Sequence, residues 1–420
     1  MIGGILRNTW SIFLGLAILM LGNGLQGTLT GWRATYEGFS PSTTGLVMAG
    51  YFIGFLLGSF ITPSLVRGVG HIRVFAAFAS LASASVLIQI LFISPPVWFG
   101  MRLLTGTCFA GAFVIVESWL NARSDDHSRG RVLSIYMIIT FIGMASGQFL
   151  LNMADPADFD LFLVASILLS LALVPVLIGR ISAPEIELHA EIGFSALVRH
   201  APTGTLSLFL VAIAHGALFG MAAVYASKAG LSITETVWFM SSFILLGALF
   251  QWPIGWLSDR MDRRLTIAGA ALITVAGCIL ILTLQLPINV FIGLFGILGA
   301  MSLVIYPLAI ALTNDRLQPE QMVGASATIA LIFGCGSILG PVSVGFALDI
   351  VGQSGFFIHL AIFHILIVLT AFYFILKTPP VPQQEQTQYQ TVPPRATVLA
   401  MESIAQEAEE SMVTEENETE

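Results

Sequence analysis

The chain has 420 residues, 56% of them hydrophobic and only 10% charged, and a mean hydropathy of +0.88. A water-soluble fold cannot hide that much apolar surface, so lipid is the expected solvent and an ordinary soluble domain is excluded. The net charge of −8 is local: nine Glu and one Arg follow from Thr378 onward, and everything before it is electrically neutral.

A helical crossing needs about 20 apolar residues. Stretches of that length fall at 9–30, 43–66, 72–94, 97–120, 131–153, 159–180, 204–227, 236–257, 265–286, 288–312, 325–349 and 356–377, which predicts twelve crossings. The first is longer than a signal-peptide core and lacks an Ala-x-Ala cleavage site, so it is read as a helix. With both termini in the cytoplasm, the inside holds Arg7, Arg67, Arg73, Arg123, Arg129, Arg131, Arg180, Arg199, Arg260, Arg263, Arg264, Arg316, Lys377 and Arg395. The outside holds Arg33 and Lys228, and Arg102 falls within a crossing. That asymmetry is what the positive-inside rule requires. Four units follow: a bundle over 1–180, a cytoplasmic linker over 181–203, a second bundle over 204–377, and a tail over 378–420. The tail is rich in Gln, Pro, Thr and Glu and is read as a disordered acidic extension, with a weak helical pattern at 397–412.

Shifted by 192 residues, the chain aligns with itself. Asn23-Gly24 falls on His215-Gly216, Gly38-Phe39-Ser40 on Gly230-Leu231-Ser232, and Leu120 on Leu312. Gly143-x-x-x-Gly147 falls on Gly336-x-x-x-Gly340 at a shift of 193. A parallel repeat of two six-helix halves places a solute site near the midplane between them.

Between the eighth and ninth crossings the chain reads GWLSDRMDRR, from Gly255 to Arg264. An Asp framed by Gly and three Arg on a tight turn between membrane helices resembles the loop signature of the major facilitator superfamily of secondary transporters. The first-half counterpart, PSLVRGVGHI from Pro63, has lost the Asp to Arg67. Together with Leu21-Gly22-Asn23-Gly24-Leu25, Gly70-His71-Ile72-Arg73 and Glu117-Ser118-Trp119-Leu120-Asn121, the loop is similar to the YcaD-like branch of bacterial transporters. The resemblance implies an all-α membrane protein: twelve transmembrane helices in two pseudo-symmetric bundles that rock to expose a central site to each side in turn. Arg102-x-x-x-Gly106 resembles a fourth-helix motif that the family connects with proton coupling or cavity electrostatics. Gly340-Pro341 stands on the eleventh crossing, whereas antiporters of the family carry Gly-Pro on the fifth.

Arg102, Gly106, Ala110, Phe113 and Glu117 step by helical intervals and predict one lining face. Asn23, Gln26, Arg102, Gln148, His215 and Tyr306 form the expected solute and proton pathway, because ionisable and polar groups at membrane depth are expensive and mark function. No carboxylate lies in the middle of a crossing, which favours an anionic or neutral solute. Arg67 and Arg73 are the expected partners of Glu117 in a gate. Asp259 is expected to reach Arg129 and Arg131 at the start of the fifth crossing, and Asp315 to hold Arg260, Arg263 or Arg264.

The resulting expectation is a proton-coupled transporter of a small polar molecule in a bacterial inner membrane. It works as a monomer, with the bilayer as solvent, no nucleic-acid partner, no cofactor and no metal. Cys108, Cys278 and Cys335 fall on separate crossings and suggest no disulfide, and no nucleophile or phosphate-loop pattern suggests an enzyme. A multidrug exporter, and a sensor signalling through the tail, are the competing readings.

Overall fold

The computed structural model describes residues 2–123, 129–179, 193–393 and 397–406. Among these, regular structure is helical throughout. Membrane-spanning backbone must satisfy its own hydrogen bonds, and a helix does so within one segment. The first half contains α1 (Ile2–Tyr36), α2 (Pro41–Val69), α3 (His71–Leu91), α4 (Pro95–Asn121), α5 (Arg129–Phe149), and a sixth crossing split into α6 (Asp160–Leu171) and α7 (Leu173–Ile178). The break follows from Pro175, which cannot donate to the carbonyl four residues back, that of Leu171. A short α8 (Phe194–His200) lies within the expected linker. The second half contains α9 (Pro202–Lys228), α10 (Ile233–Ser258), α11 (Arg263–Thr283), α12 (Ile288–Asn314), α13 (Pro319–Val351) and α14 (Ser354–Lys377). Among the described residues, twelve helices are long and apolar enough to cross a bilayer, which is the predicted number.

Burial sorts the helices by position. In α9, 89% of the apolar window is buried, against 28% in α14, so α9 stands at the centre and α14 at the lipid-facing rim. Outward-facing apolar side chains such as Trp252, Ile350 and Leu376 are exposed because lipid, not protein, covers them.

Glycine sets the closest approaches. A Cβ on Gly24 would overlap the Met144 carbonyl, and one on Gly147 the Leu21 carbonyl, which locks α1 onto α5. In the second half Gly216 meets the Ser337 carbonyl and Gly340 the Ile213 carbonyl, locking α9 onto α13. These are the repeat-equivalent positions, so the internal symmetry of the sequence is a symmetry of packing. Small residues at such crossings let backbones touch where no hydrophobic force drives helices together in lipid.

After twelve crossings the start of α1 and the end of α14 lie on one face, here called the terminal face. On the opposite face the two halves meet. The Pro41 carbonyl lies against Gly345 and the Pro341 carbonyl against Gly45, bringing α2 onto α13. Ser42 N–H donates to Asp349 at 3.0 Å, and Thr234 donates its hydroxyl to Asn152 at 3.0 Å. Phe149 and Trp238 pack edge to face with centroids 5.1 Å apart.

Gly340→Ala should destabilise the purified protein by about 1–3 kcal/mol, because the new methyl must displace backbone rather than a side chain. Gly269→Ala is the control: nothing lies within 4 Å of its Cβ position. Thermal unfolding in detergent should fall for the first and hold or rise for the second; equal shifts would contradict the packing argument.

Candidate functional site

Two polar regions stand out, one within the bundles and one at the terminal face. Within the bundles, Asn23 and Gln26 lie buried on α1. Asn23 Nδ2 and both ends of the Gln26 amide have no protein partner among the described residues. On α9, His215 is buried, and its Nε2 lies 3.1 Å from the Ser302 carbonyl of α12. A carbonyl only accepts, so Nε2 carries the proton and donates, leaving Nδ1 as an acceptor without a protein partner among the described residues. The His215 ring sits edge-on to Tyr306 at 5.9 Å and Phe333 at 5.8 Å, while Tyr306 and Phe333 lie 4.1 Å apart.

Arg102 is buried rather than turned out to the interface, with its guanidinium 4.5 Å from the Tyr51 ring centroid. From Arg102 to Phe113 the expected lining face of α4 packs on α2, whereas Glu117 bonds Tyr136 of α5 and Thr397. Gly106 lies against the Tyr51 carbonyl, Ala110 against Gly58, and Phe113 lies 5.9 Å from Phe55. Its regular spacing reports helix-to-helix contact. Gln148 likewise joins helices: it donates to the Gly24 carbonyl at 3.0 Å and accepts from the Thr28 hydroxyl.

At the terminal face the loop signature builds a charge cluster. Arg263 is 1% exposed. It donates to Asp259 at 2.8 Å and to Asp315 at 2.9 Å, so one planar fork ties the end of α10 to the end of α12. Of the three arginines considered for Asp315, Arg263 is the one it holds. Burial pushes the Asp315 carboxyl up to about 6 despite the opposing pull of Arg263. Arg264 pairs with Asp262 at 2.6 Å and donates to the Phe374 and Thr378 carbonyls at 3.1 and 2.9 Å, fastening the end of α14. Arg260 is exposed and lies over the Trp256 ring at 4.0 Å.

Among the described residues, Asp259 Oδ1 is taken by Arg263 and by the backbone N–H of Tyr389 at 3.0 Å. Arg131 is exposed on α5, and the Arg129 side chain lies outside the described residues. Glu117 is buried, while Arg67 and Arg73 are exposed on α2 and α3. It accepts from the Tyr136 hydroxyl at 2.7 Å and from the Thr397 hydroxyl.

Tyr389, Thr387 and Thr397 belong to the tail expected to be disordered. Instead the tail is seated between the halves over its described residues. Arg263 donates to the Thr387 carbonyl, and Thr387 donates both its N–H and its hydroxyl to Asp315, at 2.9 and 2.8 Å. The Tyr389 ring occupies the space left by the missing side chain of Gly255, the first residue of the loop signature. Tyr389, Gln390 and Thr391 share a cavity of about 300 Å³ with Gly130, Leu133 and Ser134 of α5 and with Trp252, Trp256 and Asp259 at the end of α10. Residues 398–406 are helical, and Ala400, Met401, Ile404 and Ala405 are buried, a spacing that marks one helix face. Burial also pushes the Glu402 carboxyl up to about 7. Residues 407–420 lie outside the described residues, as does most of the expected 181–203 linker.

Comparison with known proteins places this geometry. The sequence pattern of the Major Facilitator Superfamily matches residues 12–232 and 204–406. An uncharacterised MFS-type transporter, YcaD of Escherichia fergusonii, is 28% identical over 329 residues, covering 78% of this chain and 85% of that one. Among solved structures, the nucleoside transporter NupG superposes with a TM-score of 0.68 at 14% identity, covering 88% of this chain and 98% of that one. A bacterial homologue of the human lysosomal transporter Spinster, in an inward-facing and occupied conformation, gives 0.70 at 14% identity, covering 90% and 98%. A pattern that matches both halves in turn, on a frame of twelve helices, makes this chain a member of the Major Facilitator Superfamily, a family of transporters and not of enzymes.

Proposed function

We propose that the protein moves a small polar solute, anionic or neutral, across a bacterial inner membrane by alternating access, coupled to protons. The observation that carries this reading is the pair Asn23 and His215. They are equivalent in the repeat, both are buried, and each keeps an unpartnered polar atom among the described residues. Leaving such an atom dry costs about 1–3 kcal/mol. A bound solute or water would relieve that cost at the same place in both halves. Gln26 lies close by on α1 with an amide free at both ends among the described residues. Arg102 adds a buried positive charge to a membrane interior without mid-span carboxylates, which favours an anion over a cation. His215 is the natural proton-sensitive group, because imidazole is the side chain that changes charge nearest neutral pH.

The positive-inside distribution puts the terminal face in the cytoplasm. Contacts between α2 and α13 and between α5 and α10 close the opposite face, which supports an inward-facing reading of this state. In the alternate state Asp259 meets the start of α5. A helix N-terminus is positive, and Arg131 stands within its first turn.

A thermal-shift panel of carboxylic acids, nucleosides, polyols and quaternary amines on the purified protein tests the solute class. At about one hundred times its Kd, a bound solute adds about 2.7 kcal/mol of stability. Acids or neutral polar molecules should give the shift, and Arg102→Ala and His215→Ala should abolish it. A quaternary amine as the main stabiliser would overturn the electrostatic argument.

Asp259→Asn tests the gate. Turnover of the solute found in the panel should fall at least tenfold while the thermal shift persists. Unchanged turnover would remove Asp259 from the mechanism.

A further inference from the structure

The terminal-face cleft between the two halves is filled by the chain's own C-terminal segment. Thr387 to Val392 runs along the end of α12 and the loop signature, lining a cavity with Pro307, Ile310, Ala311 and Asn314. The helical stretch 398–406 follows, with Ala400 and Ser403 against Glu117, Leu120, Asn121, Val132, Leu133 and Tyr136 of α4 and α5. The segment therefore touches both bundles.

Its recognition is specific on three counts. Two carboxylates of the second half accept its backbone N–H groups, and Arg263 donates to its Thr387 carbonyl. Glu117 of the first half accepts from its Thr397 hydroxyl. Gly255 leaves the seat that Tyr389 fills.

We propose that this cleft is a peptide-binding site whose resident ligand is the same chain's own residues 387–393 and 397–406, and that the docked segment inhibits transport by holding the terminal face open but plugged. Inhibition by exclusion rests on alternating access as proposed above. Closing the terminal face requires the start of α5 to approach the end of α10, and Tyr389, Gln390 and Thr391 stand between them. Docking and closure are mutually exclusive. A ligand that binds one of two states draws the population into that state. Being tethered, this ligand acts at a high effective concentration.

The test uses the full chain in lipid and a readout that needs no transported solute. Ala311 is buried beneath the segment. A cysteine introduced there, Ala311→Cys, should react slowly with a membrane-impermeant maleimide offered at the terminal face, once the background from Cys108, Cys278 and Cys335 in the same chain without that substitution is subtracted. Ala400→Glu with Ile404→Glu, which puts charge on the docked face, should raise the labelling rate at least tenfold. Tyr389→Ala, a milder change outside the helical stretch, should raise it in the same direction. A synthetic peptide of residues 386–406 should slow it again.

Amides of 398–406 should exchange slowly in the unaltered chain and rapidly in the double variant. Unchanged labelling in both variants, or unprotected amides in the unaltered chain, would overturn the docked site. Raised labelling without faster turnover of the panel's solute would overturn the inhibition and leave the transport reading intact. Failure to find any solute would leave the labelling and exchange results readable by themselves.

Discussion

Arg263 organises the terminal face of this protein. Its guanidinium is removed from solvent, and a buried cation persists only where acceptors surround it. Asp259, Asp315 and the Thr387 carbonyl supply them. Because those acceptors belong to the end of α10, the end of α12 and the tail, one side chain fixes the relative position of three pieces of chain. Arg264, its neighbour on α11, does the same for the end of α14 through Asp262 and two carbonyls. The loop signature is thus a structural hub. Its Gly255 contributes by having no side chain.

The interior works by a different rule. In lipid, apolar side chains gain little from meeting each other, so helix contacts depend on how closely backbones approach. The glycines at 24, 147, 216 and 340 provide that approach at equivalent places in the two halves. Rigid crossings of this kind let each half move as a unit. The polar atoms without partners, on Asn23, Gln26 and His215, then sit on elements that do not flex independently of their half. A solute site needs that kind of support if its binding energy is to be felt by the other half.

The tail joins the two regions into one account. Glu117 in the first half and the Asp259–Arg263–Asp315 cluster in the second both spend bonds on it. In the alternating-access reading these are groups that would be free to change partners as the halves rock. A segment that satisfies them in a single state makes that state the more stable one. The fit is mutual: of the residues that line the helical stretch, Glu117 and Tyr136 are bonded to each other, and Thr397 completes the Glu117 carboxylate.

Much of this was legible in the residues. The twelve crossings follow from the length of apolar stretches, since the bilayer sets a fixed span and lipid imposes helices. The internal repeat was visible because glycines and polar groups recur at a constant offset, and the same offset marks the same packing role. The partner of Asp259 was not legible. Charge sign and topology point Asp259 to the start of α5 without revealing that Arg263, one turn further along the chain, bonds it. Glu117 was misassigned to Arg67 and Arg73 because topology places them at one end of the bundle without saying which way each side chain turns. The face of α4 read as cavity lining packs on α2 from Arg102 to Phe113, because helical periodicity reports a buried face without saying what buries it. The tail was read as disordered from its Glu and Gln content. The buried spacing at 400, 401, 404 and 405 was present but short, and a segment of that length is stable only against a surface built elsewhere.

The sequence by itself determined the solvent, the element type, the number of crossings and the symmetry between halves, because each depends on local composition or on a repeat along the chain. The tertiary structure alone decided which charges pair, which polar atoms stay without partners and where the tail rests. Those outcomes depend on distances between residues far apart in the chain, and such distances exist only once the two bundles have packed.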